Sequence, residues 1–132
     1  MNLIYGWDEE AFKSIADRAG SKQAKKDVSF CQKLQYHNAQ KLICIRYENI
    51  GGVLAYHNAK DTKIVMVAVD EAYKRQGIAS ALVMAVISIA QKAGKNRVYT
   101  RTKDGYAFYS ALHFSVIGKK DDDYIMERRW NK

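Results

Sequence analysis

Proline is absent from all 132 residues, so no turn or strand end here can rely on a locked φ. Turn formation is therefore expected at Gly51-Gly52, Asn58, Asp104-Gly105 and Gly118. Cysteine is nearly as scarce. Cys31 and Cys44 are the only two, and without metal-ligand spacing they read as reduced structural thiols of a cytoplasmic protein, not as a disulfide scaffold. The three histidines, His37, His57 and His113, have no Cys, Asp or Glu at ligand spacing, so no metal is expected. No apolar run approaches the roughly 20 residues of a membrane span; the longest, Ile78 to Ala90, is broken by Ser80 and Ser88. The opening Met1-Asn2-Leu3-Ile4-Tyr5 lacks the basic and apolar segments of a secretory signal. Linkers, repeats and low-complexity tracts are missing too, which leaves residues 1–132 as one expected domain.

Negative charge is also short. Lys and Arg number 22 against 14 Asp and Glu, a net +8, which points to an anionic partner. The glycine-rich loops of common nucleotide folds, G-x-x-x-x-G-K-[ST] and G-x-G-x-x-G, do not occur.

Among the elements that are legible, Asp8-Glu9-Glu10 opens a helix whose apolar positions Ala11, Phe12, Ile15, Ala16 and Ala19 recur at helical spacing, with Gly20 beyond its end. A weaker helix spans Lys22 to His37. Strands are expected over Lys41–Tyr47, Gly52–His57, Thr62–Val69 and Arg97–Arg101, with a final pair at Phe114–Ile117 and Tyr124–Arg129. A long apolar helix runs from Gly77 to about Ala93, and a short one from Tyr106 to Leu112.

The most informative segment runs from the strand ending Val67-Ala68-Val69, through Asp70-Glu71-Ala72-Tyr73-Lys74-Arg75-Gln76, into Gly77-Ile78-Ala79-Ser80. A strand, a basic turn and a glycine at a helix start form a phosphate cradle. The first helical N–H groups have no intrahelical acceptor, and the macrodipole adds positive charge there. This stretch resembles the acetyl-coenzyme A motif of the GNAT acyltransferase superfamily, [QR]-x-x-G-x-[GA] after a V-x-V strand end. Gly77 and Ala79 match; Lys74 stands at the leading position, keeping the charge without the planar fork of Arg. Ala107-Phe108-Tyr109-Ser110-Ala111-Leu112-His113-Phe114 is similar to the family's A-x-x-F-Y-x-x-x-G-F segment, with His113 in place of Gly.

The resemblance implies an α/β fold, a single-domain mixed and mostly antiparallel twisted sheet flanked by helices, with a first strand short or missing at Asn2 to Tyr5. It implies an acyl-CoA-dependent N-acetyltransferase, acetyl-coenzyme A as co-substrate, and an acceptor amine on a small molecule or protein. The strand ending at Val69 would splay from Arg97–Arg101. Val67 and Val69 would pair with the pantetheine arm, and Lys74, Arg75, Gln76, Gly77, Ile78, Ala79 and Ser80 would surround the pyrophosphate. Thr102 stands where many members place a coenzyme-contacting Asn. The Val69 N–H would receive the oxyanion, Tyr109 would protonate the leaving sulfur, and Glu71, Asp70 or His57 would take the amine's proton. Tyr106, Phe108 and Phe114 are expected to pack under the sheet. The acceptor would be framed by the first two helices, in a monomer or homodimer. From another class, a nucleic-acid or acidic-protein binding module on the same fold would use the basic clusters at Lys22-Lys25-Lys26, Lys119-Lys120 and Arg128-Arg129.

Overall fold

A computed structural model of the chain describes residues 1–130; the last two residues of the expected 1–132 span lie outside the described residues. In chain order the elements are β1 (Ile4–Tyr5), α1 (Glu9–Arg18), α2 (Lys22–Asn38), β2 (Leu42–Tyr47), β3 (Gly51–His57), β4 (Thr62–Val69), α3 (Ile78–Lys92), β5 (Arg97–Thr102), α4 (Tyr106–Ala111), β6 (Ser115–Lys120) and β7 (Asp123–Arg129). The strands form one seven-stranded sheet in the order β1-β2-β3-β4-β5-β7-β6. Every pairing is antiparallel except the β4–β5 contact.

Each long helix buries the stripe its sequence prescribes. Phe12, Ile15 and Ala16 of α1 and Ala24, Val28 and Cys31 of α2 cover one face of the sheet with Cys44, Leu54, Met66 and Ala68. On the other face, Ile78, Leu82, Val83, Val86, Ile87 and Ala90 of α3 pack against Ile45, Val53, Ile64, Val69 and Val98, joined by Tyr109 of α4 and Phe114. Each fully buried Val, Leu, Ile, Phe or Met among them contributes about 1.5–3 kcal/mol.

β4 carries the irregularity that matters. Leu54 pairs with Met66 but Ala55 pairs with Ile64, so Val65 is an extra residue in the ladder. The strict alternation of faces shifts there: Ile64 and Val69 join the α3 side, whereas Met66 and Ala68 join the α1/α2 side.

Three local expectations are corrected. Gly51-Gly52 is not a turn but the start of β3, paired with Val69 and Ala68. A Cβ at Gly51 would stand 2.9 Å from Ile78 Cγ2 and one at Gly52 2.8 Å from Phe12 Cε1; these glycines let α3 and α1 approach the sheet. Gly118 lies within β6 at a register shift, and the turn falls at Asp121-Asp122. Tyr106 does not pack under the sheet: it is exposed, with its ring 5.4 Å from that of Tyr124.

Candidate functional site

β4 and β5 pair only through Thr62–Val98, Lys63–Tyr99 and Ile64–Thr100. Beyond that point both strands continue, β4 to Val69 and β5 to Thr102, without pairing to each other. β5 stays zipped to β7 along its length, so the opening is a wedge between the two central strands. The Asp70 N–H donates to the Ile50 carbonyl at 2.7 Å. By antiparallel alternation, even-numbered amides after the extra residue serve β3, and those of Val67 and Val69 face the wedge. The main chain therefore presents unpaired groups that a ligand can complete.

At the wedge's mouth stands the N-terminus of α3. The other two long helices are capped, α1 by Asp8 on the Ala11 N–H and α2 by Ser21 on the Ala24 N–H, both at 3.0 Å. The start of α3 has no side-chain cap, and its first backbone bond runs from Ala81 to Gly77. The amides of Ile78, Ala79 and Ser80 are thus left for an anion. Gly77 has φ 80° and Arg75 φ 67°, a left-handed kink that turns the loop over those amides; at Arg75 this conformation costs about 1 kcal/mol or more. Lys74 is held by Glu71 at 2.9 Å. Arg75 is exposed and unpaired among the described residues.

The wedge opens into a cleft of about 700 Å³ that passes through the sheet. One side is lined by Lys74, Arg75, Gly77 to Ser80, Thr102, Gly105, Phe108 and Tyr109, the other by Ala19, Ser21, Gln23, Ala24 and Asp27. Thr102 Oγ1 accepts the Gly105 N–H at 2.8 Å, and a Cβ at Gly105 would collide with it at 2.6 Å. That turn aims α4 at the apex. Tyr109 is buried with its ring against Phe108 and Phe114, and its hydroxyl meets Thr100, whose own hydroxyl donates to the Ile64 carbonyl at 3.2 Å. Burial pushes the phenol up to about 12, with the Thr100 bond opposing. It stays protonated at neutral pH.

The structure gathers Val67, Val69, Lys74, Arg75, Gly77, Ile78, Ala79, Ser80, Thr102 and Tyr109 on one cleft. Gln76 is exposed in the loop and does not line it. The three proposed proton acceptors are not brought there. His57 lies at the far end of β4, bonded through Nδ1 to Thr62 Oγ1 at 2.7 Å. Val69 lies seven positions beyond Thr62, roughly 23 Å of strand. Burial, and then the charge of Lys95, lowers its pKa. Glu71 is exposed and tied to Lys74. Asp70 caps the Ala72 N–H at 3.0 Å and faces Arg18 at 3.9 Å. The cleft also takes in Asp27 of α2, which the sequence does not single out because α2 carries no motif.

The family model of the Acetyltransferase (GNAT) family matches residues 2–114. No curated protein sequence matches the chain. Among solved structures, PaiA N-acetyltransferase of Thermoplasma acidophilum, in complex with coenzyme A, is 14% identical with a TM-score of 0.79, covering 98% of this chain and 100% of its own. Ard1 of Thermoplasma volcanium is 16% identical with a TM-score of 0.78, over 99% and 98%. The GNAT family N-acetyltransferase YhbS of Escherichia coli, in complex with CoA, is 18% identical with a TM-score of 0.78, over 97% and 80%. At these identities the likeness is one of fold.

Proposed function

The chain belongs to the GNAT acetyltransferase family, and on that premise we propose that it moves an acetyl group from acetyl-coenzyme A to an amine of a small molecule or protein by direct attack. The observation that carries this reading is the β4–β5 wedge, whose free amides lead from an uncapped helix mouth to a buried tyrosine. The residues fit the co-substrate. Ile78, Ala79 and Ser80 would bind the pyrophosphate with Arg75, and the main chain at Val69 would hold the pantetheine amides. Acetyl-coenzyme A supplies the activated acyl group.

Val69 lies roughly 16 Å along the strand from Ile64, where the wedge closes, and Val67 roughly 10 Å. Tyr109 reaches that closed end through Thr100, so we assign the oxyanion to the Val67 N–H and leave Val69 to the arm. A preorganised donor of this kind is worth about 3 kcal/mol. Tyr109 then returns a proton to the departing sulfur, and no covalent enzyme intermediate is required. A nucleic-acid or acidic-protein module draws no support from the fold or its relatives.

Calorimetric titration of acetyl-coenzyme A into wild type and Gly77→Glu tests the reading. Wild type should bind, and the variant should lose at least about 100-fold in affinity, since it puts a carboxylate beside the helix-start amides that prefer anionic ligands. Equal binding, or no binding to wild type, overturns it. A mass-spectrometric screen of amines, polyamines and peptides would then identify the acceptor.

A further inference from the structure

None of the three acids and bases named from the sequence reaches the cleft, yet a carboxylate does. Asp27 projects from α2 into the same cleft as Val65, Met66 and Tyr109. It lies on the α1/α2 side of the sheet, whereas Tyr109 belongs to the α3/α4 side. Gln23 Nε2 donates to Asp27 Oδ1 at 3.0 Å, which fixes the carboxylate one helical turn away. Among the described residues Asp27 makes no ion pair; Glu10, Glu48, Asp104 and Asp122 share that lack but are exposed, while Asp27 is half-buried. A partly desolvated carboxylate with no cation in ion-pair contact is costly unless a ligand supplies one.

We propose that Asp27 receives the acceptor's ammonium and takes its proton, so that the amine enters from the α2 face while the thiolate leaves toward Tyr109 on the other. The assignment rests on the acetyltransfer reading above. The substrate class it names is a primary amine that arrives protonated, with its nitrogen exposed enough to reach past Ser21 and Gln23.

The protons balance as follows. The ammonium gives one proton to Asp27, which passes it to water. The freed lone pair forms the C–N bond, the C–S bond breaks, and its electron pair stays on sulfur. Sulfur takes the Tyr109 proton, and the phenolate is restored by the second proton that nitrogen loses on becoming an amide. The net products are amide, thiol and one proton.

Asp27's surroundings suit a base. Burial raises its carboxyl above the usual range, opposed by the Gln23 hydrogen bond and by the charge of Lys63 on β4. The Cys31 thiol of its own helix, beside Cys44 of β2, is held protonated and adds no charge at neutral pH. A carboxylate raised in this way accepts a proton more readily than an exposed one.

Amine-dependent thiol release from acetyl-coenzyme A, with n-butylamine as the acceptor from pH 6 to 10, tests the assignment. Asp27→Asn should lower kcat/KM for butylamine about 100-fold at pH 7. The gap should narrow toward pH 10, where the free amine is abundant. Acetyl-coenzyme A affinity and the melting temperature should match wild type, and Asp27→Glu should recover part of the rate. Equal rates for wild type and Asp27→Asn, a deficit independent of pH, or no butylamine-dependent release by wild type overturns the assignment. Failure of wild type to bind acetyl-coenzyme A would instead overturn the reading beneath it, and the assignment with it.

Discussion

The two sides of the β4–β5 wedge are made of different materials. On the α3/α4 side the groups proposed to bind are mostly main-chain: the amides of Ile78 to Ser80, the free strand edge at Val67 and Val69, and the left-handed turns at Arg75 and Gly77. On the α1/α2 side they are side chains: Asp27, Gln23 and Ser21 along one helix. A site built from backbone survives wide sequence drift, because many side chains allow the same hydrogen-bond geometry. Solved structures only 14–18% identical share this fold. A site built from side chains is particular to each chain, and so is what it recognises.

The contrast can be broken by exchanging which side a mutation touches. The largest effect should come from Tyr109→Phe, which removes the one hydroxyl proposed to carry a proton on the backbone side. Turnover should fall by about 10²–10⁴-fold while calorimetric affinity for acetyl-coenzyme A stays within twofold. Unchanged turnover would return Tyr109 to a packing role. Next comes Gly52→Ala on the side of α1. The new methyl would meet the Phe12 ring at 2.8 Å, and overpacking should lower stability by about 1–3 kcal/mol, read as a reduced urea midpoint. An unaltered midpoint would show that Phe12 yields freely.

The buried thiols sharpen the comparison through pH. Burial, joined at Cys31 by the charges of Cys44 and Asp27, pushes both Cys31 and Cys44 up to about 12. In the unfolded chain a thiol titrates near 8.5–9. Above that pH the unfolded state sheds protons that the native state keeps, so stability is full below about pH 9 and declines as pH rises toward 12. Urea midpoints at pH 8 and pH 10 should differ more for wild type than for a Cys31→Ala/Cys44→Ala variant; equal slopes would refute the shift. The smallest effect is expected at His113, which has φ 66° where the resembling motif has Gly. Relief of left-handed strain, partly offset by glycine's greater freedom when unfolded, should stabilise His113→Gly by about 0.5–1 kcal/mol. A higher melting temperature would confirm it.

These cases also show what was legible in the residues. The proposed pyrophosphate loop could be read because its requirements are local: a strand end, cations and a glycine in fixed order before a helix. Tyr109 was visible through its motif. Gly51-Gly52 was misread as a turn because the partners that demand small residues, Ile78 and Phe12, lie 27 and 40 positions away in the chain. His57 looked apt as a base on intrinsic pKa alone, yet its strand carries it to the opposite end of β4. Asp27 looked like any helix carboxylate. Its half-buried place beside the cleft, with no ion-pair partner, exists only after α2 is laid across β4.

Sequence alone determined the element order, the amphipathic faces of α1 and α2, and the anion-seeking start of α3, since each follows from neighbours within a few positions. The tertiary structure decided where β4 and β5 part, which amides stay unpaired, and that Asp27 and Tyr109 border one passage from opposite faces. Those are relations between segments distant in the chain, fixed by packing and by one extra residue at Val65, and no local pattern of residues encodes them.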